Sequence, residues 1–317
     1  MSRFLVTGCA GFVGSHLTDA LLAAGHLVVG VDAFTDYYAR EVKERNLESA
    51  REDPGFRLVE RDLAADGPPS LERIDGVFHL AGEPGVRASW GSFDRYAWNN
   101  LVATRRVFEA ASDAGLRVVF ASSSSVYGDA EVYPTAESTT PRPISPYGIT
   151  KHGCEELAYV YGRSFGLDVV TLRYFSVYGP RQRPDMAFAR IVGAVVEGTP
   201  FDLYGSGHQS RDFTYVDDAV AATVSAFELA ASGDVLIVGG GEEASLWDVV
   251  ATVERLAGRT LDVRVHHFAD GDARRTRADT QRVHRALGWE PRVSLETGLA
   301  RQLESAGARE AATVPAA

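Results

Sequence analysis

The chain has 317 residues, enough for about two domains at roughly 150 residues each. Its 45% hydrophobic and 24% charged residues are typical of a folded globular protein and exclude a disordered chain. The net charge of -11, from 32 basic and 43 acidic residues, argues against general binding to nucleic acids or anionic membranes. An anionic ligand would therefore have to be met by local clusters of arginine.

Short β-branched runs alternate with longer amphipathic stretches from residue 3 to about 125. This alternation predicts βαβ units and hence a doubly wound α/β fold with a parallel sheet. The predicted strands, in chain order, are FLVTG, LVVGVD, FRLVE, GVFHLAG, RVVFASSSS and DVVTLRY. The predicted helices between them include GSHLTDALLAAG, the stretch 93–115 and the stretch 147–166.

The pattern changes after Tyr174, where turn-rich and arginine-rich segments are interrupted by a helix and by the strand DVLIVGG. We predict that residues 1–174, with about 213–239, form the larger domain. Residues 175–212 and 240–305 are predicted to form a smaller, discontinuous lobe that binds the substrate. Residues 306–317 have no periodic apolar face, which predicts a flexible tail.

The segment TGCAGFVGSH places Gly8, Gly11 and Gly14 between the first strand and the first helix. Glycines at such a turn let backbone amides and a helix N-terminus approach a pyrophosphate, as in a Rossmann dinucleotide site. Asp32 ends the second strand 18 residues after Gly14. A carboxylate there can accept both ribose hydroxyls and repels a 2'-phosphate, which favours NAD over NADP.

The segment SPYGITK places Tyr147 four residues before Lys151, so that both side chains share one helix face. A neighbouring ammonium can stabilise the phenolate that makes tyrosine a usable base. The serine run ASSSSVYG ends a predicted strand about two dozen residues earlier, at the sheet edge where doubly wound folds bind ligands. Each of these features alone also fits an ordinary surface helix or a strand ending.

Taken together, these motifs resemble the extended short-chain dehydrogenases of the nucleotide-sugar epimerase and dehydratase type, over nearly the whole chain. The motifs HLAG at 79–82 and RDFTYVDD at 211–218 add to the resemblance. The resemblance implies a catalytic triad of Ser123, Tyr147 and Lys151. It also implies that the cofactor is contacted by Gly8, Gly11, Phe12, Val13, Gly14, Asp32, Lys43, Asp62, Leu63, Leu80, Ala81, Gly82, Asn100, Tyr147 and Lys151.

The reaction is indicated by the residues just before VYG. Dehydratases of this family carry Asp-Glu there, and uronate decarboxylases carry an acidic residue, whereas this chain has Ser124 and Ser125. Without an acid at that position, the resemblance favours plain 4-epimerisation: Tyr147 takes the O4 proton, NAD takes the C4 hydride, and the 4-keto sugar turns over before reduction. NAD would stay tightly bound and be regenerated in each cycle.

The segments at 32–47, 83–90 and 174–186 look like those of UDP-glucuronate 4-epimerases. The expected substrate is therefore UDP-glucuronate, which would become UDP-galacturonate. The resemblance implies that the hydroxyls of Ser124, Ser125 and Ser176, with Arg87 and Arg183, surround the sugar carboxylate. It implies substrate contacts from Pro84, Gly85, Arg87, Ser123, Ser124, Ser125, Tyr147, Ser176, Arg183, Met186, Gln209, Arg211, Asp272 and Arg274. Arg211 is the main candidate for the diphosphate, with Arg274 and Arg275 as helpers.

Three features of the sequence are expected to take no direct part in the chemistry. Relatives have an arginine where this chain has Ala269, which leaves open how one side of the diphosphate is held. His266 and His267 have no partner at ligand spacing, so no metal is expected. Near the N-terminal region, the run Phe34, Tyr37 and Tyr38 is expected to be loop packing over the adenosine.

Three further expectations concern the setting of the protein. Two cysteines make a disulfide framework or a cysteine-based zinc site implausible. The sequence has no apolar stretch of about 18 residues and no basic-then-apolar leader, so a cytoplasmic protein without membrane partners is expected. The resemblance suggests a homodimer formed through helices 92–115 and 147–166.

Alternatives remain open at this point. A UDP-glucuronate decarboxylase, or a UDP-hexose epimerase or dehydratase, would use the same scaffold. A dinucleotide-sensing regulator is the alternative outside enzymes, although such sensors typically lose the Tyr and Lys that this chain keeps.

Overall fold

A computed structural model describes residues 1–266 and 273–313. The strands among these residues are β1 (Arg3–Thr7), β2 (Leu27–Asp32), β3 (Phe56–Glu60), β4 (Gly76–His79), β5 (Val118–Ser123), β6 (Val169–Tyr174), β7 (Ser176–Tyr178), β8 (Phe201–Tyr204), β9 (Ser210–Tyr215), β10 (Val235–Val238), β11 (Glu242–Ser245) and β12 (Val263–His266). Each of the predicted strands is present.

The helices are α1 (Phe12–Ala23), α2 (Arg40–Asn46), α3 (Glu48–Glu52), α4 (Leu63–Asp66), α5 (Phe93–Tyr96), α6 (Ala103–Asp113), α7 (Pro146–Phe165), α8 (Ala187–Glu197), α9 (Val216–Leu229), α10 (Leu246–Ala257), α11 (Gln281–Leu287) and α12 (Leu295–Thr313). Between α5 and α6 the chain forms a wider, π-helical segment, Ala97–Val102. Short 3₁₀ turns lie at Ala88–Trp90 and Ser124–Val126. No helix within the described ranges combines the length and apolar character needed to cross a membrane.

Within the described residues, the main sheet has seven parallel strands in the order β10-β6-β5-β4-β1-β2-β3. The strand order reverses direction between β1 and β4, as expected for a doubly wound fold. The predicted fold class is therefore confirmed.

The central strands of the main sheet, such as β1 and β4, are buried on both faces. Phe4 and Val6 of β1 pack into the apolar cluster on the side of α1 and α9, while Leu5 between them packs into the cluster on the side of α6 and α7. This alternation is the period of two of a β-strand, with helices covering each face. Because helices cover both faces, side chains from different strands can meet in an open space only at the carboxyl ends of the strands.

The smaller sheets lie in the C-terminal half of the chain. β7 pairs with β9, which pairs with β11, and β8 pairs with β12. α11 packs against α9 and β10, on the side of the main sheet, although the sequence analysis assigned it to the substrate lobe. α12 runs to Thr313, so residues 306–313, which were predicted to form a flexible tail, continue this helix.

Candidate active site

A large cavity opens at the carboxyl ends of the parallel strands, where their order reverses. Its volume is about 780 Å³, within the range of cofactor and ligand sites. Of the residues proposed from the sequence, the following line it: Gly8, Gly11, Phe12, Val13, Gly14, Asp32, Lys43, Asp62, Leu63, Leu80, Ala81, Gly82, Pro84, Gly85, Arg87, Ser123, Ser124, Ser125, Tyr147, Lys151, Ser176, Arg183, Met186 and Arg211.

The glycine turn forms the floor of one end of the cavity. Gly8 has a φ of 70°, and a Cβ there would lie 2.8 Å from the backbone nitrogen of Ala81. A Cβ on Gly14 would lie 2.1 Å from the carbonyl oxygen of Gly8. In this described part of the chain, no side chain caps the start of α1 and its first turn holds no acidic residue. Backbone N–H groups there can thus meet an anion.

Asp32 stands at the end of β2, half-buried in the cavity wall. Its carboxylate accepts backbone N–H groups of Ala10 at 3.1 Å and Phe34 at 2.8 Å. Burial raises the pKa of this carboxyl, while the nearby Lys43 ammonium acts in the opposite direction. Burial lowers the pKa of Lys43, whose Nζ donates to the carbonyl of Thr35 at 2.7 Å. Lys43 therefore supports the loop after β2 from beside the cavity.

The proposed triad residues come together from β5 and α7. Ser145 caps α7 by accepting the N–H of Gly148, and Pro146 starts its first turn, so Tyr147 enters the cavity at the beginning of the helix. Lys151 is buried one turn later, and its Nζ donates to the carbonyl of Ala121 at 2.8 Å. This bond fixes the ammonium beside the end of β5.

The serine run folds into a tight turn at the end of β5, which we call the serine turn (Ser123–Ser125). The Oγ of Ser123 accepts the N–H of Ser125 at 3.1 Å and donates to its Oγ at 3.1 Å. A Cβ on Gly148 would lie 2.5 Å from the carbonyl oxygen of Ser125, so α7 begins in direct contact with the turn. The serine hydroxyls and the Tyr147 phenol therefore face the same space.

Asn100 does not line the cavity, although it was expected to contact the cofactor. It is buried in the π-helical segment, where its side chain accepts the N–H of Glu83 at 2.6 Å and donates to Thr150 at 2.9 Å. A Cβ on Gly82 would lie 2.8 Å from its Oδ1. Asn100 thus lies directly behind the cavity wall, and its neighbour Asn99 is the residue on the wall.

Arg183 lies in the substrate end of the cavity with its guanidinium already engaged. Its Nε and Nη2 each donate to the Asp185 carboxylate at 3.0 Å. Tyr37 donates its hydroxyl to the same carboxylate at 3.2 Å, so it does more than pack in a loop. Burial, followed by the Asp185 charge, raises the pKa of Tyr37 to about 12.

Two residues expected to bind the substrate lie away from the cavity wall. Arg274 is 89% exposed and its Nε lies 3.8 Å from Asp129. Gln209 is half-buried and donates to the carbonyl of Tyr204. The helper Arg275 is also engaged elsewhere, in an ion pair with Glu243 at 2.7 Å. Asp272 and Ala269, like His267, lie outside the described residues.

A group of residues on the wall was missed by the sequence analysis. Arg190 from α8 and Tyr204 from β8 line the cavity, and the guanidinium carbons of Arg87 and Arg190 lie 5.3 and 5.7 Å from the Tyr204 ring centroid. Tyr204 also stacks on His266, which pairs with Asp202 at 2.8 Å. Neither residue stands in a motif. The alternating pattern of β8 could have pointed to Tyr204, whereas no local signal points to Arg190 on α8.

The described residues hold no group of three or more His, Cys, Asp or Glu side chains that could bind a metal ion. The cavity wall presents hydroxyls, the two buried ammonium groups of Lys43 and Lys151, several carboxylates including that of Asp32, and several guanidinium groups.

Comparisons with known proteins agree with this geometry. A curated relative, "Uncharacterized UDP-glucose epimerase YtcB" from Bacillus subtilis, is 40% identical over 95% of this chain and 96% of its own. A UDP-glucuronate 4-epimerase from Thermodesulfobacterium geofontis is 34% identical over 95% of both chains. The solved UDP-glucuronic acid 4-epimerase from Bacillus cereus, in complex with UDP-glucuronic acid and NAD, superposes with a TM-score of 0.93 at 39% identity, covering 97% of this chain and 99% of that one.

The model of one protein family matches residues 4–239, from β1 to the end of β10. That span contains the glycine turn, the serine turn, Tyr147 and Lys151. The chain belongs to the NAD dependent epimerase/dehydratase family.

Proposed function

We propose that the protein interconverts UDP-glucuronate and UDP-galacturonate by NAD-dependent 4-epimerisation. The family and its relatives support the broader assignment, an NAD-dependent nucleotide-sugar 4-epimerase. One observation supports the narrower assignment: Ser124, Ser125 and Ser176 present hydroxyls, not carboxylic acids, in the cavity that Tyr147 enters. Hydroxyl donors can bind a sugar carboxylate without supplying a proton to it.

The cavity fits a dinucleotide. The glycine turn leaves no room for Cβ atoms where a pyrophosphate would approach, and α1 directs uncapped N–H groups there. Asp32 is placed to accept the hydroxyls of a ribose. When bound, NAD accepts the hydride from C4 of the sugar and returns it.

The chain's own residues handle the O4 proton. Tyr147 as phenolate accepts this proton when C4 is oxidised and gives it back when C4 is reduced. The Lys151 ammonium, fixed on Ala121, favours the phenolate by its charge. We assign to Ser123 a second hydrogen bond to O4, because Ser123 lines the same cavity as Tyr147 and its hydroxyl can rotate from Ser125 toward the sugar.

The uronate carboxylate needs restraint during the reaction. Oxidation at C4 makes a β-keto acid, which loses carbon dioxide when the bond to the carboxylate lies perpendicular to the ketone plane. Several hydrogen bonds to one carboxylate restrict its orientation. We assign that role to Ser124, Ser125 and Ser176. Arg87 was expected at the carboxylate, but its guanidinium lies over the same Tyr204 ring as that of Arg190, so we assign Arg87, Arg190 and Arg211 to the diphosphate.

A second candidate, 4-epimerisation of UDP-glucose, is favoured by one contact. The Arg183 guanidinium is neutralised by Asp185, which reduces its pull on a second carboxylate. A neutral hexose would need no such charge. The related Bacillus subtilis protein carries a UDP-glucose epimerase name.

The deciding experiment incubates the purified protein separately with UDP-glucuronate and UDP-glucose and follows the sugar products by NMR. UDP-galacturonate with little UDP-galactose supports the proposal. The reverse preference would move the assignment to the second candidate, and a UDP-pentose as the main product would indicate a decarboxylase. Nicotinamide released from denatured protein, measured by its absorbance, tests the tightly bound cofactor.

We also propose a homodimer formed through helices 92–115 and 147–166. The exposed apolar side chains of Trp98, Ile149 and Tyr159 lie on these stretches. Large apolar side chains in solvent are typical of an interface. Light scattering of the purified protein, with Ile149→Glu as the disrupting variant, tests this assembly. The cytoplasmic location stays a prediction.

A further inference from the structure

A buried ion pair lies beneath the serine turn and has no assigned part in the reaction. Glu155 and Arg173 are only 8% and 6% exposed. Arg173 Nη2 donates to Glu155 Oε2 at 2.6 Å, and its Nε donates to Oε1 at 3.0 Å. A buried pair of this kind is often no more stabilising than two apolar side chains, so stability alone does not account for it.

The ion pair ties the catalytic helix to the catalytic strand. Glu155 follows Lys151 by one turn on α7, and its Oε1 accepts the hydroxyl of Ser122 at 2.5 Å. Ser122 directly precedes Ser123 on β5. Because Lys151 also bonds the carbonyl of Ala121, two adjacent residues of β5 are joined to two successive turns of α7.

Arg173 extends the same connection to the far end of the serine turn. It lies opposite Ser122 in the β5–β6 register. Its Nη1 donates to the Tyr127 hydroxyl at 2.7 Å and to the carbonyl of Glu137 at 3.3 Å. Tyr127 comes two residues after Ser125, so the turn is held both before Ser123 and after Ser125.

We propose that Ser122, Glu155 and Arg173 form a positioning network for the reaction. The network sets the separation between Ser123 on β5 and the Tyr147 and Lys151 pair on α7. It transfers no proton and contacts no substrate phosphate. Loss of this network changes the separation of Ser123 from Tyr147 and Lys151. A shift of about 1 Å between reacting groups can reduce the rate roughly 100-fold. The inference rests on the proposed function in one respect: the assays that test it use the substrates proposed above.

The first test is Ser122→Ala, which removes the link to β5 and keeps the ion pair. We expect kcat to fall by about 10- to 100-fold while KM changes by less than about twofold, because the groups that bind the nucleotide are unchanged. Bound NAD per chain should equal that of the wild type. A loss of NAD, or a kcat within about twofold of the wild type, would overturn the proposal.

The second test separates positioning from stability. The double substitution Arg173→Met with Glu155→Leu removes both charges and replaces them with apolar side chains, which preserves or raises stability in comparable cases. We expect its melting temperature to match the wild type and its kcat to stay at least about tenfold lower. A double variant with both the melting temperature and the kcat of the wild type would show a purely structural role and contradict the inference.

A matched control lies at the other end of the same strands. Arg117, just before β5, pairs with Asp168, just before β6, at 2.8 Å. Arg117→Met removes an ion pair between the same strands away from the site, and it should leave kcat within about twofold. All variants are measured with UDP-glucuronate and UDP-glucose. A wild type inactive on both sugars refutes the proposed function, whereas an active wild type with unchanged variants refutes only the network.

Discussion

Replacing Ser176 with alanine isolates the restraint on the substrate carboxylate. Ser176 starts β7 and lines the cavity, half-buried, on a different strand from the catalytic residues. Ser125 is a poorer choice, because its Oγ lies 3.1 Å from that of Ser123 and its loss also disturbs the triad. Ser176→Ala removes one hydroxyl and leaves the backbone pairing of Ser176 with Phe213 in place.

The expected effect follows from the loss of one hydrogen bond to a charged group. Such a bond contributes about 1.5–3 kcal/mol. At about 1.4 kcal/mol per factor of ten, kcat/KM for UDP-glucuronate should fall roughly 10- to 150-fold. With fewer donors, the carboxylate reaches the perpendicular alignment more often, so the fraction of decarboxylated product should rise.

Mass spectrometry of the reaction mixture measures the UDP-4-keto-pentose, and NMR measures epimerisation. Ser176→Thr is the matched control, since it keeps a hydroxyl and should restore both quantities toward the wild type. Calorimetry with UDP alone should give equal affinity for all three proteins. Normal epimerisation by Ser176→Ala without extra pentose would refute the reasoning, and so would weaker binding of UDP that accounts for the whole effect.

Three more predictions use other parts of the site. Tyr147→Phe keeps the ring that packs against Tyr96 at 6.3 Å but lacks the phenol, so kcat should fall about 100- to 10,000-fold with NAD still bound, as product NMR and cofactor content would test. Asp32 repels a 2'-phosphate, so calorimetry of the apo-protein should find NAD bound at least about tenfold more tightly than NADP; equal affinities would contradict the assignment. Burial lowers the pKa of His79 from 6.5 to about 3. As the pH falls, His79 is therefore protonated in the unfolded chain at a higher pH than in the folded chain. Stability from neutral His79 is therefore fully present above pH 6.5 and is lost as pH falls toward 3. Urea unfolding at pH 7 and pH 5 should show the wild type losing about 2 kcal/mol relative to His79→Gln, and a constant difference would contradict this.

Local patterns in the sequence were sufficient for the main sheet and for bringing the two segments of the proposed triad to one cavity. Buried parallel strands need continuous β-branched runs, and Tyr147 and Lys151 share one helix face by spacing alone. These features depend on neighbours along the chain. They could therefore be predicted without knowledge of the tertiary contacts.

Features that depend on distant contacts could not be predicted in this way. Arg274 and Arg190 are both arginines near turn-rich segments, but only Arg190 faces the cavity, because α8 packs beside β8. Asn100 matched a family position, yet its side chain is taken up by Glu83 and Thr150. Which partner a polar side chain finds is decided by packing between elements far apart in sequence.

The π-helical segment between α5 and α6 has a consequence for engineering this site. Asn99 donates to the side chain of Glu83 at 2.8 Å, and the next residue, Asn100, accepts its N–H. Two consecutive residues reach one partner because this turn is wider than that of an α-helix. Deleting a single residue from Ala97–Val102 would let this segment close into an ordinary α-helix, and Asn99 and Asn100 could no longer both reach Glu83. The segment should therefore tolerate many substitutions on its exposed side but no change in length, so chimeras with relatives should exchange α5 and α6 as one unbroken piece.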